Sequence, residues 1–154
     1  MLDIYIDADA CPVKQEVYKV ADRCELRVFV VSNATMKVPA DPDRYRNITV
    51  GPGFDVADDW IAENIQAGDI CITADIPLAS RCLKKGAAAL GPRGKPFTED
   101  SIGDTLATRD LMSTLRETGQ IGGGPPPMAK KDRSRFLDYL DQIIQRIRRE
   151  FPQE

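Results

Sequence analysis

Two apolar segments of the sequence each end in aspartates. Residues 2–6 run into Asp7 and Asp9, and residues 69–74 run into Asp75. Apolar runs of this kind are typical of strands buried on both faces, and in an open parallel sheet ligands bind outside the carboxyl ends of the strands. Carboxylate oxygens are the ligands that Mg²⁺ and Mn²⁺ prefer. The spacing therefore predicts a site for Mg²⁺ or Mn²⁺ at this edge of the sheet.

A third source of acids precedes the second of these strands. Asp55 has the position of a helix N-cap, and Asp58 comes three residues later, so both lie on one face of the predicted helix. Capping explains Asp55, and Asp59 is expected to be solvated. We therefore place Asp58 at the crevice, together with the acids at the strand ends.

Simpler roles exist for some of these acids. Isolated aspartates favour turns and helix caps, so Asp9 could cap the helix that follows it. Asp7 and Asp75 are expected at buried or half-buried positions, where an unpaired carboxylate is strongly destabilising because it has lost its water. A bound metal ion or an arginine would remove that cost.

The composition narrows the chemistry further. The sequence contains no histidine, which excludes histidine bases, histidine triads and most transition-metal sites. Four widely spaced cysteines form no C-x-x-C pair, which argues against a zinc site and a disulfide framework. We expect Cys71 and Cys82 to be core residues, whereas Cys11 lies beside the acidic loop.

Length and charge are those of one soluble domain. The chain has 154 residues and a formal net charge of -3, so it has no overall attraction to nucleic acid. It has no apolar run as long as a membrane span, and its N-terminus lacks the features of a signal peptide. We therefore expect a cytoplasmic protein that does not act at a membrane.

Strand and helix patterns alternate along the chain. Apolar, β-branched runs predict strands at residues 2–6, 25–31, 47–50, 69–74 and 87–90. Helical spacing, caps and prolines predict helices at residues 12–23, 55–66, 77–85, 98–119 and 132–151. Residues 36–46, 91–97 and the Gly/Pro-rich stretch 119–131 are predicted loops.

This alternation predicts an α/β fold: one domain over residues 1–154, a three-layer sandwich with a mainly parallel central sheet. We favour the strand order 3-2-1-4-5, because it makes strands one and four neighbours and lets Asp7 and Asp75 face one crevice. The amphipathic last helix, residues 132–151, is expected to pack its apolar stripe on the core. A dimer contact through that stripe is the alternative.

Four motifs, in the same order along nearly the whole chain, resemble the YaiI/YqxD family of uncharacterised bacterial proteins. They are residues 7–13 (Asp-Ala-Asp-Ala-Cys-Pro-Val), residues 55–61, residues 68–79 with their Thr-x-Asp-x-Pro-Leu-Ala pattern, and residues 123–125 with 132–136. That family in turn resembles PIN-like nucleases in fold.

The PIN-like resemblance implies an aspartate at the end of strand one, an acid on a middle helix and a Thr-x-Asp after a later strand. Asp7, Asp58 and Asp75 fill those places, and Asp9 is the fourth candidate. It implies metal-dependent phosphodiester hydrolysis, in which carboxylates hold Mg²⁺ or Mn²⁺. Asp7 and Asp75 would bind the ion directly, and Asp9 and Asp58 would complete the site or act through water.

Several polar residues could contact the site or a phosphate: Ser32, Asn33, Thr73 and Arg133. Turn formation is the simpler role for the first three, and a surface position is the simpler role for Arg133. The chain is acidic and only modestly aromatic, unlike most processive nucleic-acid enzymes. RNA bound locally through Lys130, Lys131, Arg133 and Arg135, or another phosphorylated ligand, fits this composition.

Two other functions are compatible with the motifs. In a haloacid-dehalogenase-type phosphatase, Asp7 would be the nucleophile and Asp9 the acid/base. We rank this lower because Asp69 precedes its strand and only Asp75 follows it. In a non-catalytic module, the same acids would bind a metal, a nucleotide, a nucleic acid or a partner protein.

Overall fold

Strands and helices alternate in the computed structural model, which describes residues 2–8, 11–33, 37–41, 43–51, 56–98 and 129–150. The strands are β1 (Asp3–Asp7), β2 (Arg27–Ser32), β3 (Tyr45–Thr49), β4 (Ile70–Ile72), β5 (Ala88–Leu90) and β6 (Pro96–Phe97). The helices are α1 (Lys14–Cys24), α2 (Val56–Asn64), α3 (Ile76–Lys84) and α4 (Lys130–Glu150).

The strands form one sheet in the order β3-β2-β1-β4-β5-β6. Strands β1 to β5 are parallel, which confirms the predicted fold class and strand order. The prediction of a loop over residues 91–97 is wrong at its end, because Pro96 and Phe97 form β6 and pair antiparallel to β5. A two-residue strand is too short to show alternation, and proline is tolerated there because β6 is the sheet edge.

Each face of the sheet has its own core, because successive side chains of a strand point to opposite faces. Ile4 and Ile6 of β1 pack with α1 and α4, whereas Tyr5 packs with α2 and α3. The fold therefore has three layers, with a helical layer on each face of the sheet. Asp7 follows Tyr5 by two residues and so belongs to the α2/α3 face.

Helix α4 packs on the core, as its apolar stripe predicts. Phe136, Leu140 and Ile144 are fully buried there. The helix begins at Lys130, two residues before the predicted start. All of the predicted helix over residues 98–119 except Thr98, which is not helical, and most of the Gly/Pro-rich loop lie outside the described residues.

A short turn between β5 and β6 holds the start of α4. Arg93 in this turn donates a hydrogen bond of 3.1 Å to Asp132, which is buried in the first turn of α4. The same carboxylate oxygen accepts the backbone N–H of Ala129 at 3.0 Å. The first turn of α4 is therefore tied both to its own backbone and to the sheet edge. No helix within the described ranges is long and apolar enough to cross a membrane.

Candidate functional site

The carboxyl ends of β1 and β4 lie side by side at the point where the chain changes direction across the sheet. The chain leaves β1 through α1 to β2 on one side of this strand pair. It leaves β4 through α3 to β5 on the other side. Neighbouring strands whose connections diverge in this way leave a crevice at their carboxyl ends. Asp7 is the last residue of β1, and residues 73–75 follow β4.

The Thr73 hydroxyl joins the two predicted acids. It donates a hydrogen bond of 2.9 Å to Oδ2 of Asp7 and accepts one of 2.9 Å from the backbone N–H of Asp75. The pairing of Ile6 with Ile72 sets this register, since it aligns the residues that follow each strand. Thr73 is only 1% exposed, so water competes little for these bonds. The Asp7 carboxylate and the backbone of Asp75 are therefore bridged by a buried hydroxyl.

Asp75 also has a structural role. It is the N-cap of α3, and its Oδ1 accepts the backbone N–H of Leu78 at 2.9 Å. The helix N-terminus stabilises a negative charge, because its first N–H groups point at the cap. The N-terminus of α3 therefore offsets part of the cost of burying Asp75, in addition to any metal ion or arginine.

Asp58 lies in the first turn of α2 and is half-buried. Its charge and that of Asp7 both raise the pKa of the buried Cys71 thiol, after the larger effects of the Cys82 hydrogen bond and burial. Cys71 packs on the α2/α3 face of the sheet, so the charges of Asp7 and Asp58 both affect a thiol on that face. Asp59 is exposed, as predicted, and pairs with Arg81 at 2.8 Å.

Two of the predicted acidic positions, Asp9 and the cap Asp55, lie outside the described residues. Among the residues that are described, no group of three or more Asp, Glu, Cys or His side chains converges on a point where a metal ion could sit. What this part of the chain provides is the Asp7 carboxylate hydrogen-bonded to the Thr73 hydroxyl, which in turn accepts the backbone N–H of Asp75.

Ser32 and Asn33 lie at the carboxyl end of β2, the strand on the other side of β1. Ser32 ends β2 and is fully buried, and its Oγ accepts a hydrogen bond of 3.4 Å from the side chain of Asn47. Asn33 is exposed just beyond the strand. Both residues lie at the sheet edge that carries Asp7, because β1 and β2 run parallel and Asp7 pairs with Val31.

Arg133 does not lie free on the surface. Its guanidinium donates hydrogen bonds of 3.0 Å to the carbonyl of Pro12 and to Oε1 of Glu16, so α4 contacts the start of α1. Lys14 also contacts this loop, with hydrogen bonds to the carbonyls of Ala8 and Cys11. Sequence reasoning missed Lys14 and Glu16, since no motif or spacing distinguishes them from other charged residues of an amphipathic helix.

Cys11 is buried beside the same loop. Burial raises the pKa of its thiol to about 11, although the nearby Lys14 charge lowers it. At neutral pH the sulfur is therefore protonated and a weak nucleophile. Cys71 and Cys82 are fully buried, as predicted for core residues.

Residues 5–146 match the uncharacterised BCR, YaiI/YqxD family. The chain belongs to this family. A UPF0178 protein of Rhodospirillum rubrum is 59% identical over 148 residues, which cover 96% of this chain and 99% of that protein. A UPF0178 protein of Paramagnetospirillum magneticum is 61% identical over 152 residues, covering 99% of this chain and all of that protein. No solved structure matches the chain.

The YaiI/YqxD motif around β4 contains one acid that lies far from the crevice. Asp69 precedes β4 and lies at the amino-terminal ends of the parallel strands, opposite the crevice. Its carboxylate accepts hydrogen bonds from the backbone N–H groups of Asp3 at 3.1 Å and Gln66 at 3.0 Å. Burial raises its pKa, with a smaller contribution from the charge of Asp3. Asp3 in turn pairs with Arg27 at 2.8 Å. Asp69 thus ties the start of β1 to the start of β4, and it cannot supply the second acid that a haloacid-dehalogenase-type phosphatase needs after this strand.

The bridge through Thr73 leads to a prediction for stability in this YaiI/YqxD protein. Thr73→Val keeps the shape of the side chain but removes the donor to Asp7 and the acceptor for the N–H of Asp75. We expect the free energy of unfolding to fall by about 1–3 kcal/mol, because buried polar groups lose their partners. Urea denaturation measures this change.

The control is Thr49→Val on β3, where the side chain is exposed and the expected change is within about 0.5 kcal/mol. Equal stabilities for the two variants would contradict the importance of the bridge.

Proposed function

We propose that this protein is a metal-dependent hydrolase of phosphodiester bonds, a nuclease or phosphohydrolase of the PIN-like type. The observation that carries the proposal is the hydrogen-bonded bridge from Asp7 through Thr73 to Asp75 at the neighbouring carboxyl ends of β1 and β4. Ligand sites of open parallel sheets occur at such positions, and two carboxylates there supply negative charge.

The chemistry of the donors fits a hard divalent cation. Carboxylate and hydroxyl oxygens suit Mg²⁺ and Mn²⁺, and the chain has no histidine to favour a softer metal. Asp7 and Asp75 would bind the ion directly, the latter through Oδ2, since Oδ1 caps α3. Asp58 and Asp9 would complete the site or act through water. When bound, such an ion activates water and neutralises charge on the phosphoryl group.

The protein's own residues have positioning roles in this proposal. Thr73 orients the Asp7 carboxylate, and the cap of α3 orients that of Asp75. Asn33, which is exposed just beyond β2, would contact a phosphate from the neighbouring strand end, whereas Ser32 is fully buried and would not reach it.

The first turns of α4 would form a basic rim for an extended phosphorylated ligand. Lys130, Lys131 and Arg135 are exposed there, and Arg133 lies between them on the start of α1. RNA is the ligand we favour, because its backbone repeats the phosphate, so one phosphate would contact an ion held by the acids while others contact the basic rim.

Titration with Mn²⁺ by calorimetry tests the metal site. We expect the wild type to bind and Asp7→Asn and Asp75→Asn each to weaken the affinity at least about tenfold, or 1.4 kcal/mol. Asparagine can still accept from Thr73 and can still cap α3, so both variants should fold. Asp59→Asn is the control, because Asp59 is exposed and pairs with Arg81. The affinity of this variant for Mn²⁺ should equal that of the wild type. Unchanged affinity in both site variants would refute the metal site.

A non-catalytic module that binds a metal, a nucleotide or a nucleic acid is the second candidate. The use of Asp75 as a helix cap favours it, because one oxygen of the proposed site is already engaged. Incubation of short RNA and DNA with the Mn²⁺-loaded protein distinguishes the two. Cleavage by the wild type but not by Asp7→Asn supports the hydrolase, and binding of the oligonucleotides without cleavage supports the module.

A further inference from the structure

The ammonium group of Lys14 lies between two backbone carbonyls of the loop that joins β1 to α1. Its Nζ donates hydrogen bonds of 2.9 Å to the carbonyl of Cys11 and 3.3 Å to that of Ala8. Ala8 directly follows Asp7, the last residue of β1. One cation therefore connects the first residue of the loop with a residue near its end.

Water is a poor substitute for this contact. Ala8 is 2% exposed and Cys11 is 6% exposed, and the Lys14 side chain itself is half-buried. A buried carbonyl that loses its donor destabilises the conformation that buries it. The carbonyls of Ala8 and Cys11 therefore keep these positions without loss of stability only while a donor lies at the position of Nζ.

A second cation holds the next residue of the loop from outside. Arg133 of α4 donates to the carbonyl of Pro12 and to Glu16, both at 3.0 Å. The Glu16 side chain is 14% exposed, and its other oxygen, Oε2, has no hydrogen-bond partner within the described part of the chain. Hydrogen bonds from a charged donor are stronger than neutral ones, so the two cations together hold the loop on both sides.

We infer that Lys14 is a positioning residue of the candidate site. It ties the carbonyl of Ala8, the residue after Asp7, to that of Cys11 before α1, and thereby holds the backbone beside the carboxylate that Thr73 orients, without touching the ligand itself. Arg133 supports the same loop from α4, which gives this residue a role other than direct phosphate binding. The inference rests on the proposed function for its link to metal, but the holding of the loop is a property of the protein alone.

The test replaces Lys14 by methionine, which keeps the length of the side chain and removes the charge and the donor. Two measurements are made on folded protein: Mn²⁺ affinity by calorimetry, and hydrogen exchange of the backbone amides of residues 8–11 and 13 without metal. We expect Lys14→Met to bind Mn²⁺ at least about tenfold more weakly and to exchange faster in this loop. Lys14→Arg keeps a charged donor and should retain most of the affinity. If Lys14→Met does not fold, Lys14→Gln takes its place with the same expected losses.

The control is Lys19→Met, on the exposed face of the same helix, which should match the wild type in both measurements. Wild-type affinity in Lys14→Met, or unchanged loop exchange, would overturn the inference. Should the wild type itself bind no Mn²⁺, the proposed function fails and the exchange measurement alone decides the role of Lys14. Faster exchange in Lys14→Met but not in Lys19→Met would then still identify Lys14 as the anchor of the loop.

Discussion

Gly94→Ala is expected to lower the free energy of unfolding by about 2–5 kcal/mol. Gly94 has a φ of +82°, and a Cβ at this position would lie 2.6 Å from the backbone N of Phe136 and 2.7 Å from the carbonyl carbon of Arg135. The left-handed conformation costs alanine about 1–2 kcal/mol, and overpacking adds about 1–3 kcal/mol. Relief by a side-chain movement is not available, because the two nearest atoms belong to the backbone of α4.

Gly51→Ala is the matched control for this substitution. A Cβ at Gly51 would have no heavy atom of the described residues within 4 Å, so the expected change is less than about 1 kcal/mol. Urea denaturation of both variants gives the comparison. Equal free energies of unfolding for Gly94→Ala and Gly51→Ala would contradict the close packing of the β5–β6 turn against α4.

The same close approach has a consequence for the site. The turn that contains Gly94 also carries Arg93, which holds Asp132 at the start of α4 at 3.1 Å. Arg133 comes next in the helix and reaches the loop after β1 through Pro12. A variant that moves the turn away from α4 should therefore loosen the loop beside Asp7 as well as destabilise the fold.

Phe136→Ala is the second substitution with a large expected effect, a loss of about 3–5 kcal/mol in the free energy of unfolding. Phe136 belongs to α4 and is fully buried against α1 and the sheet. It is among the largest fully buried side chains. Removal of the ring takes away its apolar contacts and leaves a cavity that a packed core closes only in part. Thermal and urea unfolding measure the loss.

Tyr139→Ala tests whether the effect belongs to the buried face of α4. Tyr139 lies three residues later on the same helix but is 37% exposed, so we expect a loss of about 1 kcal/mol or less. Similar losses for the two variants would mean that α4 does not pack on the core through the predicted stripe.

Much of the fold can be predicted from the sequence because its signals are local. The apolar runs before Asp7 and Asp75 identify β1 and β4, and the 3.6-residue stripe through Phe136 identifies α4 as a core helix. The strand order follows once the two acidic ends are required to meet, and the observed order confirms it. Strand β6 carries no such signal, since two residues cannot show a period.

The candidate site divides in the same way. Its position at the ends of β1 and β4 and the involvement of Thr73 are predictable, because residue type and strand ends are visible in the sequence. The role of Asp69 is not predictable, since an acid before a strand looks the same whether it binds ligand or, as here, the backbone of Asp3.

The sequence by itself determined strands β1 to β5, helices α1 to α4, the order of the parallel strands and the strand ends at which Asp7 and Asp75 lie. Only the tertiary structure decided what each polar group contacts. The hydrogen bond from Thr73 to Asp7 joins residues 66 positions apart in the sequence, and the one from Arg133 to Glu16 joins residues 117 positions apart. The physical reason is that periodicity and capping act within a few residues of the chain, whereas these hydrogen bonds form between segments that meet only after the sheet and α4 have packed. No local pattern therefore marks Lys14 or Arg133 as residues that hold the loop beside the site.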